Sequence, residues 1–229
     1  YKDQTTYLDG QPYYLNANGA LEQNGWFRYA NGRDYGYAES DGCLINNKFA
    51  KDDQGRVVFY HWNGMVARGL ISDGLWYYSM DEGDGHYLGR FKAAGVAPSD
   101  TYQLQVLDLV NEERLSRNIA PLKLNEQVQQ AAQVRAGEIS TVFNHIRPDG
   151  RSCFTALDEY VTDGYGSAGE NIAAGQSSPQ EVVNDWMNSP GHRANILKES
   201  YTALGVGYYY GSGPYYCYWV QMFIGDRYW

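Results

Sequence analysis

The pattern of apolar and polar residues changes near residue 93 and predicts two parts of different architecture. Before that point, short runs rich in tyrosine and tryptophan alternate with glycine, asparagine and aspartate, a pattern typical of β-hairpins. After it, apolar residues recur three and four positions apart, as they do in amphipathic helices. We therefore predict an all-β part over residues 1–92, a linker over 93–102 and a part with helices and strands over 103–229.

The first part contains four repeats of about 20 residues. Each repeat begins with a glycine, reaches an aromatic pair a few residues later and then turns at a second glycine. A hairpin that cannot bury both faces alone gains a core from its neighbour, so the pattern predicts hairpins stacked as a solenoid. The first glycines are Gly10, Gly32, Gly55 and Gly74. The aromatic pairs are Tyr13/Tyr14, Tyr35/Tyr37, Phe59/Tyr60 and Tyr77/Tyr78. The turn glycines are Gly19, Gly42, Gly64 and either Gly83 or Gly85.

The second part begins with two predicted helices. Asp100 is placed to cap a helix from residue 101 to about residue 118, which Pro121 keeps from extending further. Asn125 is placed to cap the next helix, in which several small or apolar residues and one arginine share a face. The residues of that face are Val128, Ala131, Ala132, Arg135 and Ile139.

Serine and proline signals predict two further helices. Ser178 and Glu181 complete a capping box before a helix that should end near Asn188. Ser189-Pro190 repeats the arrangement and starts a short helix that carries His192. The end of the chain differs, because TALGVGYYY and YYCYWVQMFIG flank a GSGP turn and predict a hairpin of two long strands. Helices beside a mainly antiparallel sheet make this part an α+β fold.

Composition excludes several classes of function. The net charge is −9 and no block of basic residues stands out, so nucleic acid is not an expected partner. No run of about 18 apolar residues predicts a transmembrane segment. The chain opens on Tyr1 without a basic start or an apolar signal core, which is typical of a mature or trimmed chain whose signal peptide is absent. We expect an extracellular or cell-wall-associated protein.

His145, Glu170 and His192 are the candidate chemical residues of the second part. A helix start disfavours a charged imidazole, so His192 is favoured as a neutral ligand or hydrogen-bonding group. Two imidazoles and a carboxylate are a ligand set for Zn²⁺ with an open fourth position, and equally a water-activating acid–base cluster. A lone histidine is more often a satisfied polar group. The chain has no GxSxG, no HExxH, and no cysteine placed with a histidine and an oxyanion loop.

The motifs of the second part resemble a known family. They are LVNEERLSRNIAPLKLNEQVQQAAQVRAGEI, FNHIRPDGRS, GENIAAG, WMNSPGHRANIL, LGVGYYY and YWVQMF, in this order. This set is similar to the bacterial branch of the CAP superfamily, whose members are often called SCP-like extracellular proteins. The resemblance runs from about Gln103 to Gly225 and implies an α-β-α sandwich with a central cleft.

The resemblance also implies which residues line the cleft. In the family, two histidines and two glutamates form a tetrad, and His145, Glu170 and His192 match three of its members. Ser189 stands where the second glutamate is usual, which should weaken divalent-metal affinity. The implied metal ligands are His145 and His192, and Zn²⁺ or another divalent metal is the only cofactor expected. Further residues in matched motifs are expected to line or support the cleft, with hydrogen-bonded support favoured. They are Asn171, Arg193 and Gln221.

Cys153 and Cys217 both lie in this second part, so a single disulfide between them is possible in an exported protein. Two buried thiols are the alternative, and Cys43 would stay unpaired in either case.

The first part resembles the cell-wall-binding repeats of Gram-positive surface proteins, the choline- and glucan-binding kind. The family's Gly-Trp step occurs once, at Gly25-Trp26, and Phe49, Leu70 or Phe91 stands in its place elsewhere. Aromatic residues of such repeats form a cage for a quaternary ammonium or a stacking platform for sugar. The alternative, which we favour from the sequence, is that they only hold the stack together. The candidate aromatic residues are Tyr14, Trp26, Tyr37, Tyr60, Trp62, Trp76 and Tyr78.

Three functions follow from these observations. The first is a secreted surface protein whose repeats attach to a cell-wall polymer or glycan while the CAP part binds a protein or small-molecule ligand. The second is a metal-assisted hydrolase, a peptidase, that uses His145, Glu170 and His192. The third is lipid or sterol carriage, which would need an apolar groove.

Overall fold

A computed structural model of the chain describes residues 1–74, 76–92 and 101–226. The chain divides into two compact units, Tyr1–Val96 and Ala97–Trp229, which we call the repeat unit and the C-terminal unit. The predicted linker, residues 93–102, lies outside the described residues except for Thr101 and Tyr102. Asp100, the predicted cap of the first helix, also lies outside them. Over the described ranges, the helices are all too short or too polar to cross a bilayer.

The repeat unit is a series of short antiparallel hairpins, which confirms the predicted all-β architecture. The strand β1 pairs with β2, β3 with β4 and β5 with β6, and the last three strands form one sheet in the order β7-β8-β9. The strands are β1 (Gln4–Leu8), β2 (Gln11–Leu15), β3 (Gly25–Arg28), β4 (Tyr35–Ala38), β5 (Lys48–Lys51), β6 (Val57–Tyr60), β7 (Gly69–Ser72), β8 (Trp76–Met80) and β9 (Tyr87–Lys92).

Four hairpins turn at the first glycine of a predicted repeat and not at the second, which corrects the predicted frame there, whereas the β8–β9 hairpin turns at the second glycine of the last repeat, as predicted. The β1–β2 turn is Asp9-Gly10, and both residues have the positive φ that a tight two-residue hairpin turn requires. Gly19 instead lies in the connection to the next hairpin, where its N–H donates to the Asn16 carbonyl. In the β3–β4, β5–β6 and β7–β8 hairpins, the two strands therefore come from consecutive repeats, as in the pairing of Trp26 with Tyr37. In the last repeat, Gly85 and not Gly83 has a positive φ.

Neighbouring hairpins share a core, as the stacking argument predicts. A cluster of buried side chains joins β2, β3 and β4. Its members are Tyr14, Phe27, Tyr29, Ala38 and Leu44. Backbone bonds link the hairpins as well, because Leu44 N–H donates to the Pro12 carbonyl at 2.9 Å and Val66 N–H to the Tyr35 carbonyl at 3.2 Å.

The C-terminal unit is an α-β-α sandwich, which confirms the predicted fold. Its sheet has the strand order β10-β12-β13-β11, in which β12 and β11 run antiparallel to β13. One apolar cluster joins the sheet to α1, α4 and α5, and a second joins it to α2 and α3. The elements are α1 (Tyr102–Leu115), β10 (Lys123–Leu124), α2 (Glu126–Ile139), α3 (Thr155–Tyr160), β11 (Ser167–Ala174), α4 (Pro179–Asn188), α5 (Pro190–Ile196), β12 (Ala203–Tyr210) and β13 (Cys217–Gly225).

The helix starts follow the local sequence signals with two corrections. Asn125 caps α2 and Ser178 caps α4 as predicted, because each side-chain oxygen accepts from backbone N–H groups of the first turn. The cap of α1 is Thr101, whose side chain accepts from Leu104 N–H, and the helix ends at Leu115 instead of residue 118. Ser189 makes no side-chain capping bond to α5. Ser189 is both the C-cap of α4 and the N-cap of α5. Its N–H donates to the Trp186 carbonyl, and its own carbonyl accepts from Arg193 N–H.

Two glycines of β12 let helix α2 lie close to the sheet. A Cβ added at Gly205 would overlap the backbone of Val128, and one added at Gly207 would overlap the backbone of Ala132. This close approach sets the position of α2, the helix that carries Arg135.

Arg114 of α1 holds the chain that follows α5. It is fully buried, and its guanidinium donates to the carbonyl oxygens of Ala120, Ile196, Lys198 and Tyr201 at 2.7 to 3.2 Å. Burial lowers the pKa of Arg114 to about 10, and the nearby charge of Glu199 opposes that change. A single side chain therefore donates to four backbone carbonyl groups, of which that of Lys198 also accepts from Tyr201 N–H at 3.3 Å.

We predict that Arg114→Ala lowers the free energy of unfolding of the C-terminal unit by about 3 kcal/mol or more, because the substitution leaves buried carbonyl groups without donors. The described helices all lie in this unit, so urea titration followed by helical circular dichroism measures its unfolding. The matched control is Arg117→Ala, which removes an exposed ion pair with Glu113 and should change stability by less than about 0.5 kcal/mol. Equal effects of the two substitutions would contradict the assigned role of Arg114.

Candidate functional site

Glu170 is a buried carboxylate in the middle of β11, with 1% of its side chain exposed. Its Oε1 accepts from Arg135 Nε at 2.7 Å. Its Oε2 lies 2.7 Å from Nδ1 of His145 and 3.4 Å from Nη2 of Arg135. A buried carboxylate is costly unless it is paired, and here both oxygens have partners. The structure therefore brings His145 and Glu170 into direct contact, although they are 25 residues apart in the chain.

Arg135 connects Glu170 to the surrounding elements. It lies on the buried face of α2, donates from Nη1 to Glu138 at 2.7 Å and from Nη2 to the Asn144 carbonyl at 2.8 Å. Burial alone lowers the pKa of Arg135, but its bonds to Glu170 and Glu138 outweigh burial and raise it. Arg135 was predicted only as part of a helix face. A charged residue among apolar ones was the signal that it needed a buried partner.

The loop over residues 145–153, which we call the 145–153 loop, brings its last residue, Cys153, back beside its first, His145. Gly150, with φ +86°, forms the turn, and Cys153 N–H then donates to the His145 carbonyl at 3.0 Å. Arg147, a buried residue of the loop, forms ion pairs of 2.7 Å with Glu138 and Glu159, which lie outside the loop. The loop therefore places Cys153 beside His145, a neighbour that the sequence analysis missed. The Asp-Gly turn signal at 149–150 was its only local indication.

The cysteines are all free thiols, so the possible Cys153–Cys217 disulfide is absent. Cys153 is buried next to Glu170, whereas Cys217 is half-buried, with its Sγ 3.4 Å from the hydroxyl of Tyr208. Burial, together with the charge of Glu170, raises the pKa of the Cys153 thiol to about 12. A thiol with such a pKa is protonated at neutral pH and is a poor nucleophile.

His192 is the third residue of α5 and is half-buried. Burial lowers its pKa, and the charge of His145 lowers it further. His192 is therefore favoured as a neutral imidazole, and its interaction with His145 places the two rings in one region of the unit. Ser189, which precedes α5, is half-buried, and Arg193, which follows His192, is exposed.

Asn171 and Gln221 support α5 from within the sheet. Asn171 Nδ2 donates to the His192 carbonyl at 3.1 Å and to Gln221 Oε1 at 2.9 Å, and Asn171 Oδ1 accepts from Asn195 at 2.9 Å. Gln221 Nε2 has no partner among the described residues although Gln221 is fully buried. These contacts hold the backbone of His192, so both amides act as hydrogen-bonded supports. Asn195 is a further support that the sequence analysis did not name.

One group of side chains with metal-ligand atoms lies around His145. The ligand atoms of His145, Cys153 and Glu170 all lie within 4.8 Å of one another, and His192 is not a member of this group. The metal pair of His145 and His192 stays a prediction.

A second acidic group lies in the repeat unit. It consists of Asp81, Asp84 and His86, and Asp84 is already bonded to His86 at 2.6 Å and to Arg56 at 2.9 Å. The hydrogen bond from His86 is the main reason why the pKa of Asp84 is lowered. An arginine on one carboxylate oxygen and an imidazole on the other make this group an ion-pair network.

The predicted aromatic residues of the repeats divide into buried and exposed ones. Tyr14, Tyr60 and Tyr78 are buried, with at most 4% of each exposed, and belong to the shared core. Trp62 is 62% exposed and stacks on Tyr7, which is 45% exposed, with ring centroids 5.8 Å apart.

The remaining predicted aromatic residues lie between these extremes. Trp26 is partly exposed and meets Tyr37 edge to face at 5.2 Å. Trp76 is half-buried under the guanidinium of Arg90, which lies 3.8 Å from the ring centroid.

A cavity of about 310 Å³ lies beside Trp26. Trp26, Phe27 and Tyr35 form its aromatic wall. The polar lining residues are Arg28, Asp53, Gln54, Arg56 and Asp84. Two arginines and two aspartates give this lining no formal net charge.

Comparison with known proteins places the C-terminal unit in a family. Residues 107–223, more than half of the chain, match the cysteine-rich secretory protein family, abbreviated CAP. The chain belongs to the CAP family. The uncharacterised protein YkwD of Bacillus subtilis (strain 168) is 40% identical over 133 residues, which cover 56% of this chain and 50% of that relative. The chain therefore spans half the length of this curated relative.

Two solved structures are also similar to the chain. One is an extracellular protein containing an SCP domain from Bacillus anthracis str. Ames, 18% identical, with a TM-score of 0.50, over 97% of this chain and 88% of that one. This likeness shows the fold alone. The other is a multimodular pneumococcal cell-wall endolysin from phage Cp-1, solved with choline, 22% identical over 37% of this chain and 24% of that one, with a TM-score of 0.32.

The lowered pKa of His192 predicts how the C-terminal unit, which we call the CAP unit from here on, responds to acid. Below the ordinary histidine pKa of 6.5, the unfolded chain binds a proton at His192 more readily than the folded chain does. The free energy of unfolding therefore falls as the pH drops through this range. We expect His192→Gln to weaken this acid sensitivity between about pH 7 and pH 5, as measured by urea titration with helical circular dichroism.

The control is His61→Gln in the repeat unit, which should leave the pH dependence of the CAP unit unchanged. A wild-type pH dependence that persists in His192→Gln would show that His192 is not the titrating group.

Proposed function

We propose that the protein works outside the cell, where the repeat unit attaches it to a cell-wall glycan and the CAP unit binds a protein or small-molecule ligand at His145, Glu170 and His192. The observation that carries the attachment role is the exposed aromatic pair Tyr7 and Trp62. Large aromatic side chains that stack on each other in solvent offer ring faces to a ligand, whereas the buried tyrosines of the repeats already have their partners.

A sugar polymer suits this unit better than choline. Sugar rings stack on aromatic faces through their C–H groups, and their hydroxyl groups need both hydrogen-bond donors and acceptors. The cavity beside Trp26 supplies guanidinium groups, carboxylates and an amide around an aromatic wall. A quaternary ammonium instead requires a cage of aromatic rings and has no hydrogen-bond donor to offer to the carboxylates. The balanced charge of the lining also favours a neutral, hydroxyl-rich ligand.

The CAP site supports ligand binding through its two imidazoles. Glu170 holds Nδ1 of His145, and 55% of the His145 side chain is exposed, so its Nε2 is free to meet a ligand. His192 is favoured as a neutral imidazole nearby and accepts or donates one hydrogen bond per ring nitrogen. The exposed Phe143 and Ile146 flank His145 in sequence and add apolar surface. A ligand with a polar group next to an apolar one would use both features.

The attachment role predicts that Trp62→Ala weakens retention of the full chain on purified Gram-positive cell walls by about fivefold, because one stacking contact contributes ~1 kcal/mol. The measurement is a pull-down over a range of wall concentrations, with soluble glucan and free choline as competitors. Glucan should displace the protein, whereas choline should not.

The control variant is Tyr210→Ala, which removes an equally exposed aromatic residue from the CAP unit. It should leave retention within twofold of wild type. Retention that depends on Tyr210 and not on Trp62 would move the attachment role to the CAP unit. Failure of the wild-type chain to bind walls or glycans would leave the repeats as a spacer.

Hydrolysis is the second candidate, and one observation favours it. A histidine whose Nδ1 is fixed by a carboxylate is arranged like a general base, with Nε2 as the proton acceptor. The test incubates wild type and His145→Gln with wall fragments, with and without Zn²⁺, and measures the release of peptides. Release by wild type that His145→Gln abolishes would replace ligand binding with hydrolysis. We expect no release from either protein.

A further inference from the structure

The repeat unit has a second cavity, of about 380 Å³, beside Trp62. It opens where the turn between β3 and β4 meets the connection between β6 and β7. Its volume lies in the range of roughly 300 to 1,000 Å³ that small-molecule sites span. The turn contributes Arg33 and Asp34 to the lining, and the connection contributes His61, Trp62, Asn63, Met65, Val66 and Arg68.

An ion pair between Arg68 and Asp34 holds the two walls of this cavity together. Arg68 donates from Nη1 to Asp34, from Nη2 to the Arg33 carbonyl at 3.1 Å and from Nε to the Gly83 carbonyl at 3.0 Å. The other carboxylate oxygen of Asp34 accepts from Asn31 Nδ2 at 2.6 Å. The pair therefore fixes the shape of the cavity, and its two charges cancel.

Arg33 is the charge of the lining that remains unbalanced. Its side chain is exposed, and Nη2 donates to the backbone carbonyl of Glu82 at 3.1 Å. Among the described residues, no carboxylate pairs with this guanidinium, so Nε and Nη1 keep free donors. The lining thus has one positive formal charge, whereas that of the cavity beside Trp26 has none. A guanidinium binds a carboxylate or a phosphate through two parallel hydrogen bonds.

Asn63 and His61 add further donors. Asn63 Oδ1 accepts from Met65 N–H at 3.2 Å, and its Nδ2 has no acceptor within the described part of the chain. The ring of His61 meets Phe59 edge to face at 5.9 Å, and neither ring nitrogen bonds to another described residue. An imidazole carries at least one N–H donor in either protonation state. The lining therefore offers several free donors, and its carboxylate is already paired.

The indole of Trp62 lies in the same lining and is 62% exposed. A small inorganic anion would use Arg33 and leave this large ring without a partner. A neutral sugar would stack on the ring and leave the guanidinium without a counter-ion. A sugar ring that carries an anionic group satisfies both side chains at once.

We propose that the cavity beside Trp62 binds a sugar residue that carries a carboxylate or phosphate group, with the sugar ring on Trp62 and the anionic group on Arg33. Asn63 and His61 donate to its oxygens. The inference rests on the proposed attachment role and names a chemical feature of the polymer. The two cavities then differ in specificity, because the one beside Trp26 suits a neutral sugar. The chain as a whole carries a net charge of −9, so the local charge of Arg33 determines where an acidic sugar binds.

The test compares two forms of one ligand by calorimetry on the full chain. One is a short uronic-acid oligosaccharide, and the other is the same oligosaccharide with its carboxyl groups reduced to alcohols. We expect wild type to bind the acidic form about fivefold more tightly, because its carboxylate makes charged hydrogen bonds at a partly exposed site. A sugar-phosphate oligomer and its dephosphorylated form make up a second pair, and the pair with the larger preference identifies the anionic group.

Substitutions of arginine locate the preference. Arg33→Gln should reduce the preference for the acidic form to less than about twofold, and Arg33→Lys should retain part of it, because lysine keeps the charge but loses the paired hydrogen bonds. The matched control is Arg28→Gln. Arg28 is equally exposed and makes no ion pair with a described residue, but it lines the cavity beside Trp26. Both substitutions change the net charge by the same amount, so only a local contact distinguishes them, and Arg28→Gln should keep the preference.

Trp62→Ala should weaken binding of the acidic form by about fivefold, since the sugar loses its stacking surface. A preference that survives in Arg33→Gln, or equal binding of the acidic and reduced forms by wild type, overturns the proposal. The site of substitution is exposed and the backbone carbonyl that Arg68 holds is unchanged, so Arg33→Gln should fold normally. Wall retention that soluble glucan displaces, without any preference for either acidic ligand, would overturn this inference and leave the attachment role intact.

Discussion

The buried ion pair between Arg135 and Glu170 is the interaction on which the CAP site depends. Helix α2 packs against β12 through glycines and places the guanidinium of Arg135 inside the unit, where an unpaired charge would be strongly destabilising. Glu170 and Glu138 balance that charge, and the Asn144 carbonyl takes a further donor. One side chain thus joins α2, β11 and the segment before His145. The orientation of the His145 imidazole follows, because its Nδ1 partner is a carboxylate that cannot move without breaking the pair.

The repeats depend on a different constraint, the alternation of side chains along a strand. Neighbouring residues of a strand point to opposite faces, so two adjacent aromatic residues of one repeat differ in exposure, whereas Tyr35 and Tyr37, two positions apart, share a face. In β8, Tyr78 is buried in the core and Tyr77 is exposed and stacks on Phe91. In β2, Tyr14 is the buried member and Tyr13 is only half-buried. Some aromatic residues of a repeat therefore support packing while others are available to a ligand, so the question must be decided residue by residue.

The sequence was sufficient where a feature is local and insufficient where it depends on distant contacts. The capping residues Asn125 and Ser178 were predictable because a helix start needs its side-chain acceptor within three residues. The hairpin frame was not, because a periodic pattern of glycines and aromatic residues looks the same when it is shifted by half a repeat. Two predicted side-chain caps were also wrong. Thr101 caps α1, and Ser189 is shared between two helices and makes no side-chain cap.

In the candidate site, too, local features were predictable from the sequence and contacts between distant residues were not. His145, Glu170 and His192 were named from motifs that resemble the CAP family, since nothing in their spacing predicts contact. Cys153 was considered only as half of a disulfide or as a buried thiol, because the turn that brings it to His145 and the strand that brings Glu170 to both are tertiary features. The buried face of α2 did contain a usable signal. An arginine on an apolar helix face needs buried acceptors, and Glu170 in β11 provides one at 2.7 Å.

Strand β11 also explains how two histidines from separate motifs come to one region. Glu170 and Asn171 are consecutive, so their side chains lie on opposite faces of the sheet. Glu170 holds the His145 side chain on the α2 face, and Asn171 holds the His192 backbone on the α5 face. The pairing of β11 with β13 along its whole length keeps both contacts in register. Because His192 is held through its backbone, its ring is not committed to the His145–Glu170 contact.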